Sequence, residues 1–307
     1  MTVEERLSFY PDAKEIDLWM DKIWEASEKV NYTVEHDTTQ FLPDRFGMTY
    51  LSPATLKFTI EGMDPFYCSW FAPIGGPRPL IAFVPGYGGE MVWTPSASTL
   101  NYAVLSICPM GYWTPKGIPT EKLEENSDWP VYPDTARSKG EKGYFEWLLQ
   151  CAVAVKWAWK QQDKVLPDRV SFHGTSQGGG GSLLLASLFA NRGTYCVMAD
   201  EPYLTNAAMA DFRGAYHILR RAIKVMDEKE FWHYTGLCDT LSHVHRLNNF
   251  PVLLTVGTKD DVCPPETVKS LYDKLDTTKL MFEMKDRGHG YNAEFDRLML
   301  AFANMYA

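Results

Sequence analysis

Three residues, in a fixed chain order, could carry out acyl transfer. Ser176 sits in Gly174-Thr175-Ser176-Gln177-Gly178, with the apolar Val170 and Phe172 before it and Leu183-Leu184-Leu185-Ala186 after it. A short strand that turns sharply into a helix would expose the hydroxyl at the turn. Glycines flank the serine where larger side chains would collide, and the free N–H groups of the helix lie behind it. A serine hydroxyl is a poor nucleophile at neutral pH; it needs a base, and the base needs an orienting acid. Asp260 lies just beyond the apolar run Leu253–Val256, and Pro264-Pro265 then opens a helix, a position that suits proline. Asp261 is its rival one residue on. His289, flanked by Gly288 and Gly290, follows the last apolar segment and is the expected general base.

A tetrahedral oxyanion needs two backbone N–H donors aimed at it. Gln177, directly after the serine, is the expected first donor. Tyr87, in Val84-Pro85-Gly86-Tyr87-Gly88-Gly89, is the expected second. Trp93, Trp113 and Tyr203 are candidates to line a pocket for a sugar ring or another cyclic alcohol, with plain packing as the alternative for each. His173 falls on the strand before the turn and is expected in the core. His243 and His245 lack i,i+4 spacing and have no cysteine close enough to suggest a metal site. The proposed chemistry requires no metal and no organic cofactor.

These residues need a scaffold. Ile16, Trp19, Met20, Ile23 and Trp24 recur at helical spacing ahead of the main apolar segments. Thr55 to Phe71 alternates like two strands about a turn at Gly62–Pro65. Pro79–Val84, Tyr102–Cys108, Tyr195–Ala199, Phe250–Val256 and Leu280–Met284 are runs expected to form strands, interleaved with a helix over Gly143–Lys160 carrying Phe145, Leu148, Leu149, Val153 and Trp157 on one side. Such alternation implies a mostly parallel central sheet flanked by helices. With the elbow and the order Ser, acid, His, these are the features of the α/β-hydrolase fold. One domain over 1–307 is expected, with an N-terminal extension over 1–50. The rhythm breaks over 203–249, an expected helical cap-like insertion with a helical pattern at Gly214–Met226.

Composition excludes several classes. The 307 residues are 45% hydrophobic, which suits one large α/β domain, and no run is long and apolar enough to span a membrane. A net charge of −9 without a basic block argues against nucleic acid. Six cysteines are scattered singly and the opening residues are acidic, so a reducing cytoplasm is expected. The expected partner is a small ester substrate.

On these motifs the chain resembles the acetyl xylan esterase and cephalosporin C deacetylase group of α/β-hydrolases. The elbow resembles that family's Gly-x-Ser-Gln-Gly-Gly, and Gly86-Tyr87 its oxyanion Gly-Tyr. Asp200-Glu201-Pro202-Tyr203-Leu204 resembles its Asp-x-Pro-Phe-Leu, and Asp260–Val268 its acid-bearing Asp-x-x-Cys-Pro-Pro-Ser-Thr-Val. The resemblance implies a serine esterase that removes a small acyl group, acetyl above all, and a homo-oligomer. Two departures bear on that acyl preference and on the family's hexameric ring. Met110-Gly111-Tyr112 stands where the family has Arg-Gly-Gln, and Gly290 stands where it has Glu after the histidine. The residues leave open a general carboxylesterase, thioesterase or peptidase on the same scaffold. A non-catalytic binding protein would ordinarily have lost one of the three residues, and a dienelactone hydrolase would carry Cys in place of Ser176.

Overall fold

Apolar segments without alternation become strands covered on both faces. Among the described residues nine strands form one sheet: β1 (Tyr32–Asp37), β2 (Ala54–Ile60), β3 (Phe66–Phe71), β4 (Arg78–Val84), β5 (Ala103–Cys108), β6 (Val165–Thr175), β7 (Thr194–Asp200), β8 (Val252–Gly257) and β9 (Lys279–Met284). Their order is β1-β2-β3-β5-β4-β6-β7-β8-β9. The first three are antiparallel to their neighbours, and β5 through β9 run parallel. Every residue of β5 and β8 is buried, whereas β9, at the edge, leaves Leu280 and Phe282 exposed. The computed structural model describes residues 1–37, 54–73, 76–87, 102–112, 114, 144–224, 226–290 and 293–306.

Helices cover both faces. The chain opens with α1 (Val3–Leu7) and α2 (Ala13–Lys29), each started by a side-chain cap, Thr2 and Asp12. The helix α3 (Tyr144–Trp159) matches the expected segment, yet it is apolar almost all round: thirteen of its sixteen residues are buried. The reason is a second cover. One side of α3 meets the sheet, and the buried stripe Ile16, Trp19, Met20 and Ile23 of α2 lies over the other. The elbow helix α4 (Gln177–Leu188) is buried along its whole length.

Between β7 and β8 the chain makes short helices, α5 (Ala207–Ala210), α6 (Leu219–Ala222), α7 (Glu228–Cys238) and α8 (Val244–Leu247), with 3₁₀ turns at Gly214–Ile218 and Thr240–His243. The helical pattern over Gly214–Met226 is thus broken into a 3₁₀ turn and one α turn. Asp239 ties this segment together: its buried carboxylate accepts the N–H groups of Asn206, Ala207 and Leu241 and the Tyr10 hydroxyl. The chain ends with α9 (Pro265–Lys274) and α10 (Ala293–Tyr306).

The four glycines that open α4 each face a different neighbour. A Cβ at Gly178 would lie 2.0 Å from the Val84 carbonyl oxygen, at Gly180 1.9 Å from that of Tyr203, and at Gly181 2.4 Å from the Trp147 ring. Helix propensity favours Gly→Ala by about 1 kcal/mol, but overpacking costs about 1–3 kcal/mol or more, and a 1.9 Å approach to backbone cannot be relieved by a rotamer. Gly180→Ala is expected to destabilise the protein by about 2 kcal/mol net, read as a lowered urea midpoint at unchanged m-value.

Candidate active site

The carboxyl ends of β4, β6, β7, β8 and β9 converge, where open α/β sheets present their binding crevices. Ser176, at the junction of β6 and α4, has φ 56° and ψ −118°. A left-handed φ in a non-glycine residue costs about 1–3 kcal/mol and persists only when neighbours hold it. The Ser176 N–H donates to the Asp200 carbonyl at 2.8 Å, and its own carbonyl accepts from Gly180 N–H at 3.0 Å and Tyr203 N–H at 2.9 Å. The hydroxyl is left free to face the strand ends.

Three loops meet there. His289 Nε2 lies 2.9 Å from Ser176 Oγ, and His289 Nδ1 lies 2.8 Å from Asp260 Oδ2. A carboxylate only accepts, so Nδ1 carries the proton and Nε2 is left to accept from the serine hydroxyl. The other Asp260 oxygen accepts Val262 N–H at 2.9 Å and Cys263 N–H at 2.8 Å, which fixes the carboxylate before it meets the ring. Asp261 is exposed. Burial alone would lower the His289 pKa; the Asp260 hydrogen bond and charge, reinforced by Glu201 and Asp200, outweigh it and raise the pKa.

Gln177 is the first residue of α4, and its side chain is held away from the serine. Tyr112 Oη donates to its Oε1 at 2.8 Å, and its Nε2 donates to Tyr144 Oη at 2.5 Å. Only the backbone N–H of Gln177 is then free to serve an oxyanion. The Pro85–Tyr87 loop lies beside the elbow: a Cβ built on Gly86 would sit 3.6 Å from the Ser176 Cβ. The Tyr87 side chain is half exposed. Tyr203 is buried against Tyr216, with ring centroids 4.6 Å apart, and its backbone braces the elbow. Trp93 and Trp113 lie outside the described residues.

Glu201 is a member of this cluster that the sequence reading passed over as part of a motif. Its Oε2 lies 3.3 Å from His289 Nδ1 and accepts Gly290 N–H at 2.9 Å. The one available signal was its place directly after the strand beside the elbow. Asp200, one residue back, accepts the hydroxyls of Thr175 and Thr255, and burial, with the Glu201 charge, pushes its pKa up to about 7. Gly290, where the family has Glu, has φ +139°, a conformation that L side chains rarely adopt.

Asp260, Cys263 and His289 also bring one ligand atom each within 4.8 Å of one another. Asp260 and His289 are already engaged with each other, and burial, followed by the Asp260 charge, keeps the Cys263 thiol protonated by raising its pKa. His173 lies buried between Phe83 and Phe295, and burial lowers its pKa to about 3. His243 and His245 turn to different partners, Ser187 with the Leu237 carbonyl for the first and Asp17 for the second.

The profile of the acetyl xylan esterase (AXE1) family matches residues 5–305. An acetyl xylan esterase from a Thermoanaerobacterium species superposes with a TM-score of 0.75 at 19% identity, over 97% of this chain and 95% of that one. An acetyl xylan esterase from a Paenibacillus species superposes with a TM-score of 0.73 at 19% identity, over the full length of both chains. A Pyrococcus horikoshii acylaminoacyl peptidase shares the fold more distantly, with a TM-score of 0.59 at 15% identity, over 83% of this chain and 41% of its own.

The Gln177 clamp yields a stability test. Tyr144→Phe removes the acceptor for a buried amide N–H₂ and is expected to cost about 1–3 kcal/mol, measured by urea unfolding.

Proposed function

The chain belongs to the acetyl xylan esterase family, and from that premise and the site's geometry we propose how its residues divide the work. It is a serine esterase, a carboxylic ester hydrolase that acts on acetyl groups of carbohydrates. In the proposed cycle His289, oriented by Asp260, takes the proton of Ser176 as the oxygen attacks the ester carbonyl. The N–H groups of Gln177 and Tyr87 receive the oxyanion. His289 returns the proton to the departing alcohol, leaving an acyl-serine. Water, activated by the same histidine, then releases the acid and regenerates Ser176. The observation that carries this reading is the relay Ser176–His289–Asp260, with contacts of 2.9 and 2.8 Å.

The acyl group is proposed to be acetyl or another short chain, and the alcohol a small carbohydrate. Tyr203 is proposed to act from beneath the site through the elbow, since it is buried. The free, buried state of all six cysteines supports a reducing, cytoplasmic setting. The exposed Leu280 and Phe282 on the edge strand β9 support self-association. Among the described residues, no helix is long and apolar enough to cross a membrane.

The test is hydrolysis of p-nitrophenyl esters from acetate to octanoate, wild type beside Ser176→Ala. The rate is expected to peak at acetate and to fall at least about 10⁴-fold in the variant, with acetylated sugars tested next. A peak at longer chains would replace the short-acyl reading, and equal rates in the two proteins would remove Ser176 from the mechanism.

A further inference from the structure

The base in this site faces two carboxylates, and the proposed cycle uses one. Resting on the Ser176–His289–Asp260 reading, we propose that Glu201 is a positioning residue for the base: its carboxylate shares His289 Nδ1 with Asp260 and holds the histidine loop through the Gly290 N–H.

Several independent features put it there. Glu201 follows the last residue of β7, and its backbone has φ +44°, the left-handed region that non-glycine residues avoid. That conformation turns the side chain under the histidine loop. There Oε2 makes both contacts described above, at 3.3 Å to His289 Nδ1 and 2.9 Å to Gly290 N. Its side chain, like that of Asp260, has no solvent exposure, and the His289 side chain is 16% exposed. The space for it is also built in. A Cβ at Gly257, at the end of β8, would lie 2.9 Å from Glu201 Oε1, so a larger residue there would displace the carboxylate.

A buried carboxylate with nothing to do is costly. Here it has a partner whose charge changes during the reaction. When His289 takes the serine proton it becomes imidazolium, and two carboxylates at its Nδ1 side stabilise that state more than one would. The groups facing Glu201 among the described residues are Asp200 on its own strand end, Asp260 and Cys263 from the loop after β8, and His289 from the loop after β9. Burial and the Asp260 charge raise the Glu201 pKa, while the Gly290 N–H and His289 oppose that rise.

The experiment compares wild type, Glu201→Gln, Glu201→Asp, Asp260→Asn and the double variant Glu201→Gln/Asp260→Asn, each by kcat/KM for p-nitrophenyl acetate across pH. The acid limb reports deprotonation of His289. Removing a negative charge makes the imidazolium less stable, so Glu201→Gln is expected to move that limb to lower pH by roughly one unit, and Glu201→Asp is expected to restore part of the shift. With Glu201 still present to hold Nδ1–H, Asp260→Asn is expected to lose about 10²-fold, short of the roughly 10⁴ of a site with a single acid. Glu201→Gln should cost roughly tenfold more in the Asp260→Asn background than alone, the mark of coupled residues. An unmoved acid limb with equal losses in both backgrounds would overturn the proposal. So would a full 10⁴-fold loss in Asp260→Asn, which decides the matter even if Glu201→Gln does not fold. A wild type without Ser176-dependent hydrolysis would instead overturn the underlying reading, and the proposal with it.

Discussion

Between residues 174 and 181 the main chain packs directly against the main chain of β4, the strand end of β7 and the residues that follow it. Distances from an added Cβ of 1.9 to 2.8 Å show that only hydrogen fits at Gly178, Gly179 and Gly180. This crowding is what bends β6 into α4 tightly enough to give Ser176 its left-handed φ of 56°. The elbow then fixes three further things: the start of α4 beside the serine, the Gln177 N–H at its first turn, and the Asp200–Tyr203 segment that hydrogen-bonds the serine backbone from the far side. Loosening the contact would move Ser176, the Gln177 N–H and the floor of the site together.

Electrostatics forms the second layer. Asp200, Glu201 and Asp260 lie buried, the last two in contact with His289 and the first acting on it by charge. Three full negative charges there would be costly, and the site distributes them. Asp260 is satisfied by two backbone N–H groups, Asp200 by two threonine hydroxyls, and Glu201 by the Gly290 N–H. Burial, with the Glu201 charge, pushes the Asp200 pKa up to about 7, which favours its neutral form over the charged one. The Asp260 hydrogen bond and charge, with the charges of Glu201 and Asp200, favour the imidazolium, which is why the His289 pKa rises despite burial.

Much of this was legible in the residues. The Gly-x-Ser-x-Gly turn, the glycines about His289 and the apolar runs depend on local chemistry, and they placed the sheet and the three loops that meet in the relay. Asp260 was favoured over Asp261 for its place just beyond the apolar run, and a single residue of loop phase separates the buried carboxylate from the exposed one. Burial of α3 on nearly every side was hidden because it comes from α2, more than a hundred residues earlier. The broken helix after Gly214 was hidden for a similar reason: at φ +53° that glycine packs against the Asp261 and Val262 carbonyls, a distant contact that overrides a helical pattern. Glu201 was the least legible, since its role depends on a backbone angle and on a partner 89 residues away.

The measurement that tests the central claim most directly is the location of the covalent intermediate. The protein would be mixed with p-nitrophenyl acetate, quenched in acid within the burst phase and digested for peptide mapping by mass spectrometry. The account predicts the acetyl group on Ser176. Acetyl on the neighbouring Cys263, or turnover with no acyl-protein formed in the burst, would contradict it.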